Sequence, residues 1–155
     1  MRSARTVSWF AWTVPAFALM LFIGQARLLV FEPFVPDLPL ALAIALSVAS
    51  GSWAVALFSS VSVTALAALI SPFYAAPAAI SMALFLAAFS AMRFLTGTRI
   101  IDAAIIAAAA GVVGAIIRPL VLGAAPDFWT VLASAFATVL ASVIFSAAAS
   151  GISKS

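Results

Sequence analysis

Ionisable side chains are scarce enough in this chain to be weighed one by one. Its 155 residues hold seven Lys or Arg, four Asp or Glu, no His and no Cys. Without His, the usual general base near neutral pH and the usual zinc ligand are missing. Without Cys there is no disulfide, thiolate ligand or thiol nucleophile. The sequence offers no paired carboxylates, no Ser-His-Asp set, no phosphate-cradling loop and no metal-ligand spacing. It reads as a non-enzyme without cofactor or metal site. The dispersed basic residues form no patch that would grip nucleic acid.

The remaining polar groups suggest binding and positioning. Arg118, in "GAIIRPLVLG", follows a long apolar run. Counted from Ile101 it lies about 26 Å along a helix, near the far membrane surface. It can snorkel there, or pair with an acid expected on the same side, namely Glu32, Asp37 or Asp127. Asp102 opens a helix after "TGTR", where a negative charge suits the helix dipole. Tyr74, Trp9, Trp12, Trp53 and Trp129 fall near segment ends and read as an interfacial aromatic belt. Apart from Arg118, no ionisable group falls clearly inside an apolar run, which leaves an ion-coupled carrier without its usual machinery.

Two stretches repeat small residues. Ala56, Ser60, Thr64 and Ala68 recur every fourth position, and "AAAAGVVGAII" presents Ala107, Gly111 and Gly114. In lipid such faces let helix backbones approach closely. They can serve packing within one bundle, docking of another membrane protein, or a small-molecule pocket lined by hydroxyls.

These residues are positioned by a chain that is 67% hydrophobic and only 7% charged, against roughly 25% charged in soluble domains. That composition cannot coat a water-soluble globule, and the chain reads as an all-α, polytopic integral membrane bundle. A bilayer core of about 30 Å needs roughly 20 apolar residues per helix. Six segments are expected, at about 7–24, 38–49, 52–70, 78–95, 101–122 and 128–149, forming a single transmembrane domain. The first could instead be a secretory signal, since Arg2 and Arg5 precede it and "GQA" resembles a cleavage site. Leu38 to Ile70 is free of charge and would be about 50 Å long as one helix. The polar "SGSW" at Ser50 to Trp53 is the natural turn. The segment from Leu38 is short, so it either crosses at a tilt or dips in and returns. Pro36 marks the restart before it. In "ALISPFYAAPAAI", Pro72 is expected to stop one helix and Pro77 to sit in the first turn of the next.

Basic residues set the orientation. Six crossings put Arg2, Arg5, Arg93, Arg99 and Lys154 on one side and Arg27 and Arg118 on the other, so both termini are expected in the cytoplasm. Glu32, Asp37 and Asp127 then share the outer side.

The order of features resembles MreD, the small membrane subunit of the bacterial rod-shape system. The resemblance rests on "VPDLPLALAIAL" (Val35 to Leu46) and "SSVSVTALAALISPFYAAPAAISMALFLAAFSAMR" (Ser59 to Arg93). Ala68 stands where that family often carries an acid. The resemblance implies a scaffold in the bacterial inner membrane. Its implied partners are an MreC-like protein, the actin-like MreB system and peptidoglycan-synthesising enzymes. The family is also similar in fold to the substrate-binding subunits of energy-coupling-factor vitamin importers, which is one alternative reading; an accessory subunit of another envelope machine is the other. Those subunits dock through an Ala-xxx-Ala pattern, and here Ala41, Ala45 and Ala49 have that spacing.

Overall fold

Asp37 fixes where the second helix begins. Its Oδ1 accepts the Leu40 N–H at 3.1 Å and its carbonyl accepts the Ala41 N–H at 2.9 Å. It thereby caps a helix whose first turn contains Pro39, which has no N–H to lose. The computed structural model describes residues 15–20, 36–70, 72–92, 99–121 and 123–152. All its regular elements there are helices. The described part of α1 is 15–20. It is followed by α2 (Leu38–Ser50), α3 (Trp53–Ile70), α4 (Pro72–Met92), α5 (Arg99–Val121) and α6 (Phe128–Ile152).

The "SGSW" turn lies where the sequence places it. Gly51 takes φ 62° and donates its N–H to the Ser47 carbonyl at 2.9 Å. A side chain resists this left-handed conformation, and glycine accepts it freely. A second glycine turn closes α5. Gly123 has φ 74°, the Ala124 N–H reaches the Pro119 carbonyl at 2.8 Å, and the Gly123 N–H reaches that of Leu120 at 3.2 Å. This paired bonding satisfies carbonyls that a helix end otherwise leaves bare. Beyond it, Asp127 Oδ2 accepts both the N–H and the hydroxyl of Thr130, each at 3.0 Å, and caps α6.

The proline-rich break is narrower than expected. Instead of starting near Ala78, α4 starts at Pro72, and Pro77 lies inside it, buried. An interior proline forfeits one helical bond, a cost of about 3 kcal/mol. Residues 72–76 are nevertheless wound into helix, so Pro77 is not a break. Pro72 holds the first position, where proline costs no bond.

α3 packs on α4, α4 on α5 and α5 on α6, while α2 lies against α3, α5 and α6 and touches α4. This central placement explains why eight of the 13 residues of α2 are buried. The core joins Leu40 and Ile44 of α2 to Phe17, Val63, Met82, Phe85, Phe89 and Ile106. Trp53 stacks on Phe89 with ring centroids 5.9 Å apart, clasping α3 to α4.

Outward surfaces are apolar. On α6, Phe128, Leu132, Phe136, Leu140 and Ile144 are all exposed, one every fourth residue. Water would penalise such a stripe and lipid does not. Three helical stretches, Trp53–Ile70, Ile100–Val121 and Phe128–Ala149, are long and apolar enough to span a membrane. The chain is a helical membrane bundle. Its shortest complete helix, α2, is about 20 Å long at 1.5 Å per residue.

Candidate interaction faces

Small residues define the close contacts of this bundle, and the structure separates those used inside from those left outside. Gly111 faces α6: a Cβ there would lie 3.7 Å from both Ala135 Cα and Thr138 Cβ. Gly114 faces α4, where a Cβ would lie 3.2 Å from Ser81 Oγ. Ala107, fully buried, completes this face. The small face of α5 is therefore internal packing, as closely approaching helices require.

The small face of α3 turns along its length. Ala56 and Ser60 are buried, Thr64 is half-buried and Ala68 is exposed. Every fourth residue is rotated by about 40° around the axis at 3.6 residues per turn, so the row winds outward. Ser60 donates to the Ala56 carbonyl at 2.9 Å and Thr64 to that of Ser60 at 2.9 Å. The hydroxyl protons of Ser47, Thr138 and Ser142 are likewise engaged, with Ala43 (2.7 Å), Ser134 (2.8 Å) and Val139 (2.8 Å) respectively. These serines and threonines satisfy themselves within their own helices, which lowers the cost of carrying them in an apolar interior. Ser59 Oγ and Ser146 Oγ are buried without a hydrogen-bond partner.

Asp37 lies further along the bundle than Asp127. Its backbone N–H donates to Thr138 Oγ1 at 2.9 Å. Thr138 lies ten residues into α6, about 15 Å from the Phe128 end at 1.5 Å per residue. The start of α2 is thus seated against the middle of a 25-residue helix. Thr138 Oγ1 accepts from Asp37 and donates to Ser134, tying residues 101 apart in sequence. Pro36 is half-buried just before this junction, and its carbonyl accepts the Leu38 N–H at 3.0 Å.

Asp102 occupies the first turn of α5 as expected, with Oδ1 buried and without a hydrogen-bond partner. Arg118 lies in α5 just before Pro119; the expectations for its side chain, and for those of Tyr74 and Arg99, fall outside the described residues. So do those for Arg2, Arg5, Trp9, Trp12, Arg27, Glu32, Arg93 and Lys154. Trp129 is exposed at the start of α6, and Trp53 is more than a third exposed at the start of α3. Among the described residues, no cluster of His, Cys, Asp or Glu could hold a metal ion.

One row of small residues points outward over most of α4. On α4, Ala76, Ala79, Ala83, Ala87, Ser90 and Ala91 are exposed. Here α4 lies between α3 and α5, whose outward positions include Leu57 and Val61 on one side and Val112, Val113 and Ile116 on the other. From Ala79 to Ala91 every exposed position of α4 is small, while Phe73 near its start is exposed as well. Its sequence signal was an alanine at every fourth position from Ala79 to Ala91, the same periodicity that singled out α3. Among the described residues, this row from Ala79 to Ala91 remains exposed.

Compared with known proteins, the chain matches no family model, no curated protein and no solved structure.

Proposed function

We propose that this chain is a non-enzymatic scaffold subunit of a bacterial cell-envelope complex, of the MreD kind, working through helix faces within the inner membrane with both termini cytoplasmic. The observation that carries the reading is the outward strip of Ala79, Ala83, Ala87 and Ala91 on α4. Between helices in lipid there is no hydrophobic drive, because acyl chains are as apolar as leucine. Association rests on close packing, which small residues permit and large ones prevent. A partner helix seated on α4 could approach its backbone closely, whereas the exposed row Phe128, Leu132, Phe136, Leu140 and Ile144 on α6 is bulky. By the resemblance, the partners are an MreC-like protein, the MreB system and peptidoglycan-synthesising enzymes.

The importer reading has less support. Of its docking pattern in α2, Ala41 and Ala45 are buried and only Ala49 is partly exposed.

Purification in a mild detergent tests the scaffold reading. A stoichiometric membrane partner should co-purify with the wild type and be lost from Ala83→Leu and Ala87→Leu, while the variants keep the wild-type helical content and Tm. Recovery of the free chain alone, with normal cell shape after depletion, would overturn it.

A further inference from the structure

We draw no further inference here: the strongest candidate, the outward alanine strip of α4, is the face on which the proposed function already rests, and nothing in the structure shows what covers it.

Discussion

A single methyl added at Gly111 or at Gly114 should have opposite effects, although the two glycines lie three residues apart on α5. At Gly111 the new Cβ meets Ala135 Cα and Thr138 Cβ at 3.7 Å and Thr138 Cγ2 at 3.8 Å, which is ordinary van der Waals contact. Gly111→Ala then adds dispersion and the helix preference of alanine, worth up to about 1 kcal/mol. That preference counts for less in a membrane, where the unfolded reference is also helical. The variant should be neutral to about 1 kcal/mol more stable. At Gly114 the Cβ arrives 3.2 Å from Ser81 Oγ. Ser81 is 1% exposed, so its hydroxyl has little free space to swing into. Overpacking of this kind costs about 1–3 kcal/mol, leaving Gly114→Ala up to about 2 kcal/mol less stable after the gain in preference. Thermal unfolding in micelles, followed by circular dichroism, resolves the difference, since 1 kcal/mol shifts Tm by about 2–4 °C in a chain of this size. Adding Ser81→Ala to Gly114→Ala should recover part of the loss, because Ser81 Cβ lies 4.0 Å from the new methyl. Equal Tm values for the two single variants, or a more stable Gly114→Ala, would refute the assignment of these glycines to unequal contacts.

Thr138→Val keeps the shape of the side chain but removes the acceptor of the Asp37 N–H. It should cost about 1 kcal/mol, within the 1–3 kcal/mol range for an unmade buried bond, while Thr138→Ser should cost less; denaturant titration of the pair measures this. The Asp127 carboxyl is held below its ordinary value of 3.8, first by the Thr130 N–H and then by the Thr130 hydroxyl. A depressed folded-state pKa means that its capping contribution is complete above pH 3.8 and fades as pH falls through the folded value. A carbon-13 titration of Asp127 in micelles should give a midpoint below 3.8, and Thr130→Ala should move it upward. Leucine at Ala83 or Ala87 should leave thermal stability within about 0.5 kcal/mol of wild type, as for other surface positions, because both are exposed.

Helices and their ends were largely legible in the sequence, because backbone chemistry is local. Asp37, Gly51 and Asp127 act at the positions they occupy, and the charge-free run from Leu38 to Ile70 divides at Gly51. Pro77 misled because a first helical turn suits proline, yet Pro72 already fills that role five residues earlier. The interaction faces were only half legible. A soluble helix reveals its inner side through polarity, and here both sides are apolar. Ala107 with Gly111 and Gly114, and Ala79, Ala83, Ala87 and Ala91 of α4, therefore look alike in sequence, yet the first set is buried and the second exposed. The depth of Asp37 could not be read at all, because its bond to Thr138 joins residues 101 apart.

The most direct test of the scaffold account is site-specific photo-crosslinking in native membranes, comparing a probe at Ala83 on α4 with one at Leu140 on α6, both exposed. The account predicts a discrete protein adduct from Ala83 and lipid adducts alone from Leu140. Lipid alone at both positions, or the same protein adduct from both, would contradict it.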